Sequence, residues 1–267
     1  MRPGDLRFFL RNLNANRNLL RNLVVRDLRN RYVGSVGGFV WSVVQPVALL
    51  VCYTFVFSVV LRFDPASYGT DNLAVYLFAG IVPWLMFSDT VLRNCTTVTD
   101  NASLVTKTAI PSEVLPLAIV ISNLVHHLIG IAVLLVVLIV FSSVPWTSFW
   151  ALAYLLPLTL MSLGLGWLVS SLNVFLRDTV QMLNVSMVFW LWLTPVFYPP
   201  AMVPERFGVL VLLNPMAAIV TGYRSAFLAS PPPTTPQLLV LAGWTMVALI
   251  GGALFFRRSK QAFADVL

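Results

Sequence analysis

NCTTVTDNASLVTKTAIPSEVLP, residues Asn94–Pro116, is the one sustained polar interruption between two long apolar runs in the first half of the chain. Each flanking run is long enough to cross a bilayer, so this stretch makes the chain polytopic and must sit at a membrane face. Asp100 and Asn101 are good N-cap residues, and Ala102–Lys107 can form about two helical turns. Pro111 stops whatever helix precedes it, and Ser112 and Pro116 suit the start of the next one. Two readings stay open: a solvated connector, or an element that a partner protein grips.

Composition supports the membrane reading. Of 267 residues, 58% are hydrophobic and 10% charged, and the mean hydropathy is +0.86, a balance that no water-soluble domain needs. The net charge of +7 would suggest nucleic acid in a soluble protein. In a membrane protein it reads first as topology, and no nucleic-acid partner is expected. Cys52 and Cys95 make no disulfide framework and leave the redox compartment open.

Six stretches can cross a hydrocarbon core of about 30 Å, which takes roughly 20 helical residues: Phe39–Leu61, Leu73–Leu92, Val114–Phe141, Phe149–Phe175, Val180–Tyr198 and Gln237–Phe256. With the N-terminus inside, one face receives Arg2, Arg7, Arg11, Arg17, Arg21, Arg26, Arg29, Arg31, Arg93, Lys107, Arg177, Arg257, Arg258 and Lys260. The other receives Arg62, Arg206 and Arg224. Fourteen against three is a positive-inside asymmetry that places both termini and the 94–113 loop in the cytoplasm.

Residues 1–38 interleave their arginines with Leu6, Phe9, Leu10, Leu13, Leu20, Leu23, Val24 and Leu28. This is the pattern of an amphipathic helix lying in the interface, not of a signal peptide. Residues 39–256 form the transmembrane domain and 257–267 a cytoplasmic tail. Within 199–236, two apolar pieces too short to span are broken at Asn214-Pro215, which reads as a re-entrant hairpin; the alternative is an external lid. The expected fold is an all-α polytopic membrane protein with an interfacial helix, six spans and a re-entrant hairpin between the fifth and sixth.

Catalytic signatures are few. Lys107 and Lys260 are the only lysines, and neither lies in a phosphate-binding loop. There is no nucleophile elbow or H-E-x-x-H, and adjacent His126 and His127 suit helix–helix hydrogen bonding better than a metal. Ionisable residues within spans are better pointers, because lipid burial of a charge costs several kcal/mol unless it is paired or wetted. Asp89 and Arg93, four apart, form a local ion pair or face a cytoplasmic vestibule. Arg224 faces a pore, pairs with Glu205, or snorkels. Tyr53, Phe55 and Trp190 offer flat faces to a sugar ring or pack against helices and lipid.

Five runs are similar to a known family: RDLRNRYVGSVGGFVWSVVQP (26–46), LFAGIVPWLMFSDTVLRN (77–94), DNASLVTKTAIPSEVLPLA (100–118), LTPVFYPPAMVPERF (193–207) and LLNPMAAIVTGYRSAFL (212–228). In order and over nearly the whole chain they resemble the ABC-2 type membrane subunits that export O-antigen, teichoic acid and related polysaccharides. The resemblance implies a homodimeric channel for an undecaprenyl-diphosphate-linked glycan in a bacterial inner membrane. It also implies two copies of a separate ATPase, which hold the ATP and magnesium while this chain carries no cofactor. That ATPase would dock on Asn101, Leu104, Val105, Lys107 and Pro111, near Arg26 and Arg29. Tyr53, Phe55, Trp190, Asp89 and Arg93 are the expected channel residues, and Asn214, Pro215 and Arg224 the expected gate. Val33 and the run Ile110-Pro111-Ser112-Glu113 depart from the basic residues common at those places in the family. A membrane enzyme acting on polyprenyl-linked sugars would need clustered acids, and a proton-coupled carrier mid-membrane acids and internal repeats; neither pattern is present.

Overall fold

The computed structural model describes residues 16–31, 37–70, 72–107, 111–141 and 143–267, and within them every regular element is helical. In chain order these are α1 (Arg17–Asn30), α2 (Trp41–Thr54), α3 (Leu73–Asp100), α4 (Ala102–Lys107), α5 (Val114–Phe141), α6 (Ala151–Phe175), α7 (Thr179–Leu193), α8 (Gly208–Leu213), α9 (Pro215–Leu228), α10 (Thr235–Ser259) and α11 (Phe263–Val266). The N-terminal half of the expected interfacial helix, with Arg2, Arg7, Arg11 and the apolar residues Leu6–Leu13, lies outside the described residues, as do Val33 and Ile110.

The bundle is built around α3. Its 28 residues rise about 42 Å, roughly two turns more than a bilayer core requires. Asn72 starts it by accepting from the Val75 amide at 3.2 Å, and nearly all of its length is buried against α2, α5, α6, α7 and α9. Its far end, Asn94–Asp100, therefore projects beyond the core and carries α4. The other long helices pack against α3 or, for α10, against α6, and turn apolar residues outward. Along α2 and the π-helical segment Phe55–Val60 that continues it, the outward stripe is Val43, Val47, Val51, Phe55 and Val59, one residue per turn. On α7 it is Met182, Val185, Phe189 and Trp192.

Helices α6 and α10 make the closest approach. A Cβ on Gly252 would fall inside the Gly164 carbonyl oxygen, and one on Gly164 inside the Ala248 carbonyl. Small residues let transmembrane helices touch backbone to backbone, where dispersion replaces the missing hydrophobic drive.

Two expectations need correction. The fifth crossing is not a full helix: α7 has 15 residues, about 22 Å, and stops where Thr194 turns extended ahead of Pro195, whose ring disfavours a helical residue before it. Residues 194–198 beyond it form turns and a bend, so α7 is the whole helical part of this crossing. The apolar stripe of α1 also does not lie simply in lipid, because Leu19, Leu20, Leu23 and Val24 pack on Val114, Leu115 and Ala118 at the start of α5.

The segment expected to form the hairpin is a helix pair, α8 and α9, bent by 88° across Asn214, as either a broken span or a re-entrant loop would be. Its arms differ sharply. Val209, Leu210 and Leu213 of α8 are exposed, whereas Met216, Ala217, Ile219, Val220 and Tyr223 of α9 are wholly buried against the bundle. The second arm is core, not a surface lid.

Candidate functional site

At the end of the bundle that carries α4, two acid–base pairs of identical spacing face each other: Asp27 and Arg31 on α1 and its cap, Asp89 and Arg93 on α3. They pair crosswise. Arg93 donates to Asp27 Oδ1, and Arg31 Nη2 donates to Asp89 Oδ2 at 2.9 Å. Asn123 of α5 joins both, its Oδ1 accepting from Arg31 and from Arg93 at 2.8 Å, while its amide donates to Thr90 at 3.0 Å. Ser122 donates to Asp27. The local Asp89–Arg93 pair expected from the spacing is replaced because α1 delivers an opposite charge to each member, which also ties α1, α3 and α5 together. Asp27, Arg31 and Asn123 escaped the sequence reading. Asp27 is the sole acid among the basic residues of α1, and Asn123 is the sole amide in the α5 run, and these were the signals.

A cavity of about 610 Å³ opens beside this cluster between α2, α3 and α5, with Asp89, Arg93 and His126 at its polar end and Phe78, Val82 and Met86 deeper in. Asp89 and Arg93 thus border water-sized space within one chain. His127 also lines this cavity and meets the Tyr223 hydroxyl, 2.7 Å from its Nε2, which pins α9 to α5.

The loop helix forms where the caps predict it. Its start is anchored: Arg26 donates to Asn101 Oδ1 at 2.8 Å, and the Asn101 amide donates to the Thr97 carbonyl at 2.8 Å. Beyond Pro111, Lys260 pairs with Glu113, and the Trp167 indole donates to the Glu113 carbonyl at 3.3 Å. Ser103 and Thr106 face outward, while Leu104 is half-buried and Val105 packs onto the apolar clusters beneath. Val105 therefore helps seat the helix, and Ser103 and Thr106 present its outer surface. Arg26 is bound to Asn101, Arg29 is exposed, and the Lys107 side chain lies outside the described residues.

At the hairpin joint the sequence reading put Asn214, Pro215 and Arg224. Asn214 accepts from the Met216 amide at 3.0 Å as the cap of α9, accepts from the Trp190 indole at 3.0 Å, and donates to Thr194 Oγ1 at 2.9 Å. Pro215 occupies the first position of α9, where its missing N–H costs nothing. The joint's polar groups are thus met by the end of α7, not by water.

Arg224 neither snorkels nor reaches Glu205. It is 3% exposed and donates to the carbonyls of Pro195 at 2.7 Å, Val196 at 2.6 Å and Tyr76 at 3.4 Å. Its guanidinium carbon lies 3.6 Å from the Tyr76 ring centroid. The Pro195 and Val196 carbonyls are free because α7 has ended, and the forked, flat guanidinium satisfies adjacent acceptors that no single-point donor could. Gly80 makes room: a Cβ there would come within 2.9 Å of Arg224 Nη2 and 3.0 Å of the Val196 oxygen. Arg224 is a staple between α9, α3 and the unwound segment.

Of the expected channel residues, Trp190 also stacks edge-on with Phe87 at 5.0 Å, and Tyr53 packs on Phe197 at 5.1 Å. Phe55 alone among the three aromatics points outward, 55% exposed.

Comparison with known proteins agrees with this architecture. The chain is 29% identical over 260 residues to an O-antigen export system permease protein, RfbA, of Myxococcus xanthus, covering 96% of this chain and 98% of that one. A Klebsiella pneumoniae protein of the same name is 28% identical over 93% of this chain and 95% of its own length. The polysialic acid transport protein KpsM of Escherichia coli is 20% identical over 90% of this chain and 93% of its own. Residues 18–228, from α1 to the end of α9, match the ABC-2 type transporter family, and the chain belongs to that family.

Proposed function

We propose that this chain is the permease of an ATP-driven exporter that moves a lipid-linked cell-surface polysaccharide from the cytoplasmic to the external face of a bacterial inner membrane. The permease names of its full-length relatives support the glycan class, and the fourteen-to-three distribution of Lys and Arg supports cytoplasmic termini and loop. Two copies form the channel, with the outward stripes of α2 and α7 and the Phe55 ring as its wall. Many weak contacts of this kind let a polymer slide without being held. A separate ATPase dimer, holding ATP and magnesium, grips α4. The exposed arm of the hairpin, α8, is the part free to move as an external gate, since α9 is fixed by burial.

The observation that carries this reading is α4 itself, a short helix held at its start by the Arg26–Asn101 bond, with Ser103 and Thr106 uncovered. Arginine at Ser103 and Thr106 should lower co-purification of the ATPase at least tenfold while the amount and thermal midpoint of the permease stay unchanged. Because those side chains touch nothing beneath, misfolding is not the expected cause. Undiminished co-purification and export would remove α4 as the docking element. Aspartate at Leu104 and Val105 is a poorer test, since Val105 belongs to the apolar support.

A further inference from the structure

We propose that residues Lys260–Val266 are the seat that orients α4, making Phe263 and Lys260 positioning residues for transport; this rests on the reading of α4 as the ATPase's grip. A helix of six residues has no stability of its own, since nucleation consumes most of what so few hydrogen bonds return. Its orientation is therefore set by what it packs on. Beneath it is α11, which lies against both α4 and the end of α6.

Phe263 is the key of that seat. It is 1% exposed, meets Phe256 edge-on at 5.5 Å and lies 6.2 Å from Phe175. It completes the apolar cluster of Val98, Trp167 and Val174, against which Val105 of α4 rests. Lys260 adds a second pin by pairing with Glu113 where the loop re-enters α5. The near end of the loop is already pinned by Arg26 to Asn101. With both pins and the apolar seat in place, a push on α4 must move α3, α5 and α10 together. Without the seat, α4 stays tethered but can tilt independently of the spans.

The test uses the full complex of permease and ATPase in vesicles, reading glycan exported per ATP hydrolysed, ATPase co-purification, and the thermal midpoint of the permease alone. Phe263→Ala should lower export per ATP, or ATPase retention, about tenfold at unchanged permease amount. Lys260→Ala should lower it two- to threefold, since a half-exposed pair is weak, and Lys260→Arg should restore it. The exchanged pair Lys260→Glu with Glu113→Lys should also recover most of the loss. Phe263→Leu, which keeps the site apolar, guards against a variant that simply fails to fold. Export per ATP unchanged in Phe263→Ala and Lys260→Ala, or losses that follow the permease's own stability across all variants, would overturn the proposal. Failure of the unaltered chain to bind any ATPase would instead overturn the reading of α4.

Discussion

Alanine at Arg224 should destabilise the permease by about 3–5 kcal/mol, the largest effect expected of any single polar residue here. The substitution leaves the Pro195 and Val196 carbonyls without their donor at a buried position, and each such orphan is costly. It also empties the space over the Tyr76 ring. Arg224→Lys should recover only part, because an ammonium cannot fork between adjacent carbonyls or lie flat on an aromatic face. Gly80→Val should copy the alanine defect from the opposite side by displacing the guanidinium. In detergent, the thermal midpoint should fall by roughly 10 °C for Arg224→Ala. A midpoint within about 2 °C of the parent would show that the staple contributes little.

Valine at Gly252 should be comparably severe. The added carbons collide with the Gly164 backbone, which cannot rotate aside as a side chain would, so α6 and α10 must separate along their whole contact. Overpacking of this kind costs about 1–3 kcal/mol when side chains can adjust, and more is expected where backbone is the obstacle. Gly243→Val, which meets open space, is the matched control and should be silent. Folded yield after membrane extraction would separate them. Equal yields would mean that the helices are less closely packed than described.

The all-α polytopic architecture was legible because apolar length answers directly to the bilayer. The starts of α4 and α9 were also legible, since Asn101 and Asn214 are cap-type residues at the positions where those helices begin, but α3 continues to Asp100, past the expected end of its span at Leu92. What the sequence did not disclose depends on distant pairing. Asp89 and Arg93 have the spacing of a local pair, and nothing in that spacing reveals that Asp27 and Arg31 arrive from α1 to exchange partners with them. Arg224 was read as facing a pore, pairing with Glu205 or reaching the headgroups, because its partners are backbone carbonyls, two of them freed by an early end to α7, and backbone vacancies have no letter in the sequence. The break at Pro195 was visible, yet the hydropathy of Val196, Phe197 and Tyr198 concealed it. Leu104 and Val105 were read as a docking face because a six-residue helix has too few positions to show which side is buried.

The central claim is that this chain exports a lipid-linked glycan only when a separate ATPase drives it. The most direct measurement uses inside-out vesicles containing the permease with and without its ATPase, supplied with a lipid-linked glycan on the outer surface. Protection of the glycan inside the vesicles should require both subunits and ATP hydrolysis, and should vanish with a non-hydrolysable nucleotide. Accumulation by the permease alone under a proton gradient, or chemical alteration of the glycan by the permease without transport, would contradict the account.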